Sequence, residues 1–422
     1  MTKIIHCADL HLDSPMETHL TEAQASTRNT EIIHSFLRLT EYAAQNAVSA
    51  VIIAGDLFDG ERVKTRTVDE ILDAMGRTPG VDYLYLAGNH DEASNAFADR
   101  DIPQNLKLFG QSWQSFAYNG AVISGIEMSR SNAESLYQNI PHSEGMVNIA
   151  AMHGQVGTAC GEDMVNLNLL KNRGIDYLAL GHIHTYACQT LDGRGVYCYS
   201  GCLEGRGFDE CGPKGFVLLR VEGGRIQHEF VPFSCRQLHR LPVDISGLAK
   251  NSQIAQKIQQ AAQQIPADDM VEILLTGEVD PTANIAVSYL QNLLRPQFFF
   301  SKIKNETRMR IDPNDYKNDI SLKGEFIRLV LASDASDEDK AAISRSLDSL
   351  ERGGYLQPQA GKKYKSKLLL TDLGRQTGEE VSGRIERILL SAGAGLTEQE
   401  RQIMYGALEK ISVNLEKIEK EL

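Results

Sequence analysis

The sequence lacks any apolar run of the ~18 residues that a membrane-spanning helix needs. The apolar residues that follow Lys3 are interrupted at Asp9, too early for the hydrophobic segment of a secretory signal peptide. Neither a membrane span nor secretion is therefore expected. The sequence predicts a cytoplasmic protein with no membrane partner.

Cysteine is sparse and shows no regular pairing. The chain has seven cysteines, an odd number, and no Cys-x-x-Cys pair. This usage is typical of reduced thiols rather than of a disulfide framework. Four cysteines lie near one another without the tight pairs of a zinc ribbon, and buried or incidental thiols are favoured over structural zinc there; they are Cys188, Cys198, Cys202 and Cys211.

Positive charge is in deficit. The 422 residues include 43 Lys and Arg against 56 Asp and Glu, a formal charge of −13, and 42% of the residues are hydrophobic. This is an ordinary globular composition, and at ~100–200 residues per domain the length predicts two to four domains. The acidic balance argues against coating DNA through charge alone, although a local basic groove is compatible with it.

Up to residue 235, short β-branched apolar runs alternate with helical patterns, as in an α/β fold. The runs lie at 4–8, 50–54, 83–87, 147–152 and 176–180. Helical spacing between the first two runs predicts a helix packed on the sheet, and the second strand is then parallel to the first. Short alternating segments and many glycines within 195–231 predict antiparallel strands that complete the sheet.

The character of the chain changes after residue 240. Strands near 241–243 and 270–276 and helices near 253–264 and 284–294 form a βαβα pattern, which predicts a small second domain. Helices dominate after residue 320, with candidates at 334–350 and 378–390. The expected domains are therefore 1–235, 240–325 and a mainly helical region at 326–422.

Two features of this last region have alternative interpretations. Apolar residues four and three positions apart form a heptad seam, which either packs on its own domain or binds a partner helix; they are Met404, Leu408, Ile411, Leu415, Ile418 and Leu422. Residues 352–367 carry five basic side chains and no acidic one, with two interleaved tyrosines. This segment is either a solvated loop or a contact with a phosphate backbone.

Metal-binding side chains follow the five apolar runs. Loops at the carboxyl ends of strands converge on one crevice in open α/β folds, which brings these side chains together. Carboxylates can bridge two cations, imidazoles hold first-row metals, and an amide oxygen adds a neutral donor. The seven candidate donors are Asp9, His11, Asp56, Asn89, His153, His182 and His184. Among the remaining histidines, these are expected to be structural: His6, His142, His228 and His239.

The order Asp-x-His, Gly-Asp-x-x-Asp, Gly-Asn-His-Asp, His and Gly-His-x-His resembles the calcineurin-like metallophosphoesterases over residues 1–235. The sequence Ala-Asp-Leu-His-Leu-Asp-Ser-Pro at 8–15, the residues at 55–59 and the added βαβα pattern resemble bacterial DNA-repair exonucleases of the SbcD type. The resemblance implies a four-layer α/β/β/α sandwich with a small α/β capping domain and a helical, partner-binding C-terminal region.

The resemblance also implies a role for each candidate. One metal would be held by Asp9, His11, Asp56 and His184, and the second by Asp56, Asn89, His153 and His182. The cations would be divalent, with Mn²⁺ ahead of Fe, Zn or Co, and a water between them would attack the phosphorus in line. His90 would stabilise the scissile phosphate or protonate the leaving oxygen, with Asp91 orienting it.

Three further side chains keep two interpretations each. Asp13 and Asp59 either support the site or belong to local turns. Arg206, in a glycine-rich loop, either meets a substrate phosphate or is a surface residue.

The leading functional hypothesis is a metal-dependent DNA exonuclease or endonuclease acting in double-strand-break repair. The resemblance implies a homodimer whose partners are DNA and an SMC-like ATPase. A phosphodiesterase or phosphatase for nucleotides or other small phosphoesters is the alternative enzyme, because the same cations serve both reactions. An inactive scaffold for an ATPase is the third hypothesis, and the full donor set counts against it.

Overall fold

The computed structural model describes residues 1–14, 16, 20–59, 63–91, 96–97, 100–280, 283–310, 356–358, 368–373 and 375–378. The chain divides into two compact units. The first contains Met1–Ile245, Lys250–Thr276 and Asn284–Glu306, and the second contains Ser246–Ala249, Gly277–Ala283 and Thr307–Leu422. Four predicted features lie outside the described residues, except at 356–358 and 378. They are the helices at 334–350 and 378–390, the basic segment at 352–367 and the heptad seam.

In the first unit, strands and helices alternate at the start of the chain. In chain order they are β1 (Thr2–Cys7), α1 (Glu22–Gln45), β2 (Ala50–Ala54), α2 (Thr65–Gly76), β3 (Asp82–Leu86), β4 (Leu106–Leu108), β5 (Gln114–Tyr118), β6 (Ala121–Gly125), a 3₁₀ turn (Ser135–Tyr137), β7 (Val147–His153), β8 (Gln155–Gly157), β9 (Met164–Asn166), α3 (Leu167–Leu170), β10 (Tyr177–Gly181), β11 (Ala187–Thr190), β12 (Val196–Tyr199), β13 (Gly215–Glu222), β14 (Arg225–Pro232), β15 (Leu238–Asp244), α4 (Asn251–Ala262) and β16 (Met270–Thr276). The remaining elements of the chain are β17 (Glu278–Val279), α5 (Val287–Leu294), β18 (Phe300–Asn305), β19 (Arg308–Met309), β20 (Leu356–Pro358) and β21 (Leu368–Leu370).

The first sheet has six strands in the order β14-β13-β1-β2-β3-β4. Strands β1 to β4 are parallel, and β13 pairs with β1 in the antiparallel sense. The strands predicted at 4–8, 50–54 and 83–87 are confirmed as β1, β2 and β3. Antiparallel pairing of β13 with β14 confirms the expectation for residues 195–231.

The second sheet also has six strands, in the order β11-β12-β10-β7-β6-β5. Strands β6, β7, β10 and β12 are parallel, and β5 and β11 close the two edges in the antiparallel sense. The runs predicted at 147–152 and 176–180 are confirmed as β7 and β10. Strand β12 pairs with β11 in the antiparallel sense, as predicted, but its pairing with β10 is parallel.

Apolar side chains on both faces of each sheet produce the layers. Ile52 of the first sheet and Ile149 of the second belong to the core between the sheets. Phe36 of α1 and Ile71 of α2 join the core on the outer face of the first sheet. Leu170 of α3 joins the core on the outer face of the second. The fold is therefore the expected α/β/β/α sandwich.

Helix α1 shows how sequence sets one outer layer. The Thr21 side chain accepts from the Gln24 backbone N–H, and the Gln24 side chain accepts from the Thr21 backbone N–H, which forms a capping box. Ile32, Phe36 and Leu39 follow at helical spacing and are buried, which gives the helix its sheet-facing stripe.

The last part of the first unit is a small three-stranded parallel sheet, β15-β16-β18, with helices α4 and α5. Ile254 and Ile258 of α4 and Leu290 and Leu294 of α5 are buried. The strand predicted at 270–276 is confirmed as β16, whereas strand β18 was not expected.

The described residues of the second unit include two short sheets. Strands β17 and β19 pair in parallel, and β20 and β21 pair in the antiparallel sense. In neither unit does a described helix have the length and apolarity that crossing a bilayer requires.

Candidate metal centre

The donor side chains follow strands from both sheets. Strands β1, β2 and β3 of the first sheet are mutually parallel, as are β7 and β10 of the second. Contacts between the two sets join the sheets at their carboxyl ends, where the His153 Nδ1 lies 2.9 Å from the carbonyl oxygen of Ala54. The structure thus brings all seven candidate donors to one place, in the groups described next.

The first group contains Asp9, His11 and His184, whose ligand atoms all lie within 4.8 Å of one another. The Nε2 atoms of His11 and His184 are 3.2 Å apart. One oxygen of Asp9 accepts a 2.8 Å hydrogen bond from the backbone N–H of His182. Two imidazole nitrogens and a carboxylate oxygen therefore face a common point.

The second group is built around His153. Its Nε2 lies 3.0 Å from Asn89 Oδ1 and 3.4 Å from Asp56 Oδ2. His182 approaches the same amide oxygen, with its Nδ1 3.4 Å from Asn89 Oδ1. Contact of His153 Nδ1 with the Ala54 carbonyl fixes the ring so that Nε2 faces the group.

Asp56 lies between the two groups. Its Oδ2 is 3.8 Å from His11 Nε2 on one side and 3.4 Å from His153 Nε2 on the other. The second oxygen of Asp56 accepts a 3.0 Å hydrogen bond from the backbone N–H of His90. This placement is the one that a carboxylate shared by two cations requires.

The donor set fits divalent cations. Asp9 Oδ2 is buried, and no hydrogen-bond donor from the described residues reaches it. Burial raises the pKa of Asp9 to about 6, because it disfavours the charged form more than the nearby imidazoles favour it. A cation at this position would satisfy the unpaired oxygen and offset its charge. The two groups would hold one cation each, with Asp56 common to both.

Backbone strain is concentrated at the same residues. Asp9, His11, Asp56 and His182 have φ angles of 53°, 47°, 52° and 101°. Residues other than glycine rarely adopt this left-handed region, and each instance costs about 1–3 kcal/mol. The first three lie in the loops that follow β1 and β2, and the surrounding contacts must offset the cost of this conformation.

Glycines provide the space behind the donors. A Cβ atom on Gly55 would lie 2.1 Å from His153 Nδ1, and one on Gly88 would lie 2.2 Å from Asp56 Oδ1. At Gly181 the added atom would lie 1.9 Å from the Ala54 carbonyl oxygen. The absence of a side chain at these three glycines therefore permits close packing around the candidate donors.

His90 lies at the exposed side of the site, with 44% of its side chain accessible. Its Nδ1 is 3.0 Å from Asp59 Oδ1, and its ring meets the His11 ring edge-to-face with centroids 4.9 Å apart. Contact with the His11 ring, outweighing burial and assisted by Ser14 and Arg206, holds the pKa of Asp59 well below its usual range. Asp59 is thus ionised beside His90.

Asp91 has different contacts from those expected of an orienter of His90. Its carboxylate accepts backbone hydrogen bonds from Leu57, Phe58 and Gly88, at 3.1, 2.9 and 3.1 Å. Burial raises the pKa of Asp91 to about 6. These contacts join the loop after β2 to the loop after β3, so Asp91 holds together the two loops that carry Asp56 and Asn89.

Arg206 lies behind the donors. Its guanidinium donates to Asp59 at 3.2 Å and to Glu210 at 3.1 Å, and it is 3.3 Å from His184 Nδ1. These contacts show that Arg206 is partly buried and pairs with two carboxylates beside the site.

Sequence reasoning missed Glu210 and Lys214. Glu210 Oε1 lies 2.6 Å from His184 Nδ1, and Lys214 Nζ donates to the His184 carbonyl oxygen at 2.6 Å. Burial opposes ionisation of Glu210, but His184 and Arg206 outweigh it and lower the pKa to about 2. Glu210 therefore fixes the ring of His184 as an ionised partner. A carboxylate and a lysine inside an apolar, glycine-rich segment were the available signal.

Asp13 contacts a residue 51 positions further along the chain. Its carboxylate accepts a 2.9 Å hydrogen bond from the backbone N–H of Lys64 and pairs with the Lys64 ammonium at 3.2 Å. Lys64 is the residue before α2, so Asp13 holds the start of that helix. Both contacts are with Lys64, so they support neither the site interpretation nor the local-turn interpretation of Asp13.

Comparison with known proteins agrees with this geometry. The family model described as calcineurin-like phosphoesterase matches residues 2–186. These residues are similar to that family. The match supports the interpretation of the protein as a metal-dependent phosphoester hydrolase, and the clusters above supply the candidate ligands.

Similar curated proteins include a metallophosphoesterase, YhaO, of Bacillus subtilis, 29% identical over 242 residues, covering 54% of this chain and 59% of that protein. The DNA double-strand break repair protein Mre11 of Methanopyrus kandleri is 25% identical over 261 residues, covering 54% and 56%. Mre11 of Haloferax volcanii is 25% identical over 295 residues, covering 68% and 64%. The chain thus spans 56–64% of the length of these relatives.

Proposed function

We propose that the protein is a two-metal nuclease that hydrolyses phosphodiester bonds of DNA. The observation that carries the proposal is the placement of Asp56 between two donor groups, with His90 beside it at the exposed side. Two cations held in this way supply an activated water and offset the charge of the phosphate oxygens.

The residues of the chain perform the remaining tasks. Asp59 orients His90 through Nδ1, which leaves Nε2 as the nitrogen for a substrate oxygen. His90 then stabilises the phosphate or donates a proton to the leaving oxygen. Glu210 orients His184 in the same way on the other side of the site.

The choice of DNA rests on similarity. The relatives from Methanopyrus kandleri and Haloferax volcanii are DNA double-strand break repair proteins by name. The second alignment covers 68% of this chain, more than the family domain at 2–186 alone, so the likeness includes residues beyond the catalytic sandwich. We assign the region 240–325 to capping of the site and 326–422 to partner binding.

The finer details follow the same proposal. Manganese is the proposed cation on the basis of the family resemblance, and the mixed nitrogen and oxygen donors would also suit Fe, Zn and Co. An SMC-like ATPase is the proposed partner, the proposed assembly is a homodimer, and the proposed location is the cytoplasm.

The test is cleavage of linear single- and double-stranded DNA by chelator-treated protein with and without Mn²⁺. We expect cleavage that requires Mn²⁺ and that His90→Ala reduces by about 10²–10⁴-fold. His34→Ala, which removes an exposed histidine of α1, is the matched control and should leave the rate unchanged. Hydrolysis of a small phosphodiester with no cleavage of DNA would replace the nuclease by a small-molecule phosphodiesterase, and inactivity on both would favour the scaffold.

A further inference from the structure

Two cysteines face each other on the hairpin formed by β11 and β12. Cys188 and Cys198 are direct partners in the antiparallel register of these strands. Cys202 and Cys211 point elsewhere: Cys202 donates to the His184 carbonyl and Cys211 to the Phe208 carbonyl. The four clustered cysteines of the sequence therefore contain one cross-strand pair.

The hydrogen-bond pattern of the hairpin places this pair at a narrow position. Leu191 N–H donates to the Gly195 carbonyl at 2.9 Å, which makes these two residues a hydrogen-bonded pair. Such pairs alternate along an antiparallel ladder, so Cys188 and Cys198 form a non-hydrogen-bonded pair, where Cα atoms are about 4.5 Å apart. Disulfides span Cα separations of roughly 4.4–6.8 Å. The backbone is therefore already close enough for a bond.

The surroundings of the two thiols differ. Cys198 is fully buried in the core between the sheets, whereas Cys188 is only partly buried at the edge of that core. His228 of β14 is exposed, and its Nε2 and Nδ1 lie 3.8 and 3.9 Å from Cys188 Sγ. A hydrogen bond from Cys198 lowers the pKa of Cys188 more than burial raises it. Cys188 thus has an accessible thiol with a base and a second thiol beside it.

We propose that Cys188 and Cys198 are a peroxide-reactive pair that closes reversibly to a disulfide. The Cys188 sulfur attacks one oxygen of hydrogen peroxide, His228 accepts the thiol proton, and the O–O bond breaks to leave a sulfenic acid and, with that proton, one water. The Cys198 sulfur then attacks the sulfenic sulfur, the S–O bond breaks, and its hydroxyl leaves with the Cys198 proton as a second water. Two thiols are oxidised and one peroxide is reduced.

Other thiols of the chain provide the comparison. Cys235 is exposed, but burial of its sulfur raises its pKa, and its contacts are with Ser35 and Arg38. Since the thiolate is the reactive form, exposure without a lowered pKa gives a slow thiol. Cys235 is therefore a matched control for accessibility.

The experiment is peptide mapping of the wild-type protein after graded hydrogen peroxide, with free thiols blocked and no reductant. We expect a linked Cys188–Cys198 peptide at peroxide concentrations that leave Cys235 reduced, and its loss after dithiothreitol. Absence of that peptide, or oxidation of Cys235 before Cys188, would overturn the proposal. This readout does not depend on any variant folding.

Three variants assign the steps. Cys198→Ser should stop at a Cys188 sulfenic acid that dimedone traps, and Cys188→Ser should give neither product. His228→Gln should slow the reaction several-fold with the same end product, because the base is lost and the thiols remain. Cys235→Ser should form the linked peptide at the wild-type rate. A trapped sulfenic acid at a cysteine other than Cys188 would contradict the assignment.

Discussion

Asp59 Oδ1 lies 3.0 Å from Nδ1 of His90, and the two residues belong to different loops. The same loop that carries Asp59 also carries Asp56, whose carboxylate accepts from the His90 backbone N–H at 3.0 Å. Two carboxylates three residues apart therefore hold His90 at both its backbone and its ring. The orientation of His90 depends on the loop after β2 as much as on its own loop after β3.

Asp59→Asn should lower kcat for a phosphodiester by about 10–100-fold, since His90 loses its ionised partner while the metal ligands remain. Metal content, measured by mass spectrometry of the purified protein, should stay at the wild-type level. In the double variant with His90→Ala, the Asp59 substitution should add almost nothing, because both act through one ring. Additive losses would show that Asp59 acts elsewhere.

Gly88→Ala should weaken metal binding more than it destabilises the fold. The new methyl group would lie 2.2 Å from Asp56 Oδ1, so the shared carboxylate has to move. Gly80→Ala is the matched control, because a Cβ there meets nothing within 4 Å. Titration of chelator-treated protein with Mn²⁺ should show a tenfold or greater loss of affinity for Gly88→Ala alone. Equal affinities for both variants would refute the packing argument.

Burial of His6 should make the folded protein less stable in mild acid. It is fully buried with Nδ1 2.9 Å from the Tyr177 hydroxyl, and burial lowers its pKa to about 3 from 6.5. Between these values the unfolded chain binds a proton that the folded chain does not, so the free energy of unfolding falls as pH falls from 6.5 toward 3.

The measurement is urea unfolding of metal-free protein at about pH 7.5 and pH 5.5. Wild type should lose about 1.4 kcal/mol more than His6→Gln over this interval, because only wild type has the suppressed titration. His142→Gln, at an exposed position, is the control and should follow wild type. Parallel losses for wild type and His6→Gln would contradict the prediction.

Glu204→Gln should cost about 3 kcal/mol of unfolding free energy. Glu204 pairs with the fully buried Arg28 at 3.0 Å and accepts from Ser35 at 2.6 Å, so the substitution removes one of the two carboxylates paired with this guanidinium and leaves only the less buried Glu31. Glu229→Gln is the comparison, since it removes an exposed pair with Arg220 at 2.7 Å. That change should cost less than about 1 kcal/mol by urea unfolding. Similar costs would mean that burial does not set the value of the Arg28 pair.

The strands that carry the site could be predicted because they are buried on both faces and therefore appear as continuous apolar runs. The strand predicted at 50–54 coincides with β2, and the donor follows it at Asp56. The β5–β6 hairpin was missed although Asn119-Gly120 between its strands is a common hairpin turn. Its first strand is largely exposed and has little apolar patterning.

The convergence of the candidate donors could be predicted because they lie at the ends of strands, but their supporting contacts could not. Glu210 reaches His184 across 26 residues, and Arg206 reaches Asp59 across 147. Such pairs depend on how the glycine-rich loop folds back over the site, which periodicity does not encode. Asp91 was expected to orient His90, and its contacts with the backbone of two loops instead depend on where those loops lie in the fold.

At the metal centre, the carbonyl oxygen of Ala54 from one sheet lies against Gly181 and the His153 ring from the other. The distance between donors on different sheets therefore depends on how the two sheets pack, and not on the loops alone. Ile52 and Ile149 lie in that same interior layer. Neither is a candidate donor, but both help to set the spacing of the two sheets. A change of volume there would alter the spacing of the candidate donors while every donor kept its identity, so variants with impaired metal binding need not map to the donor residues.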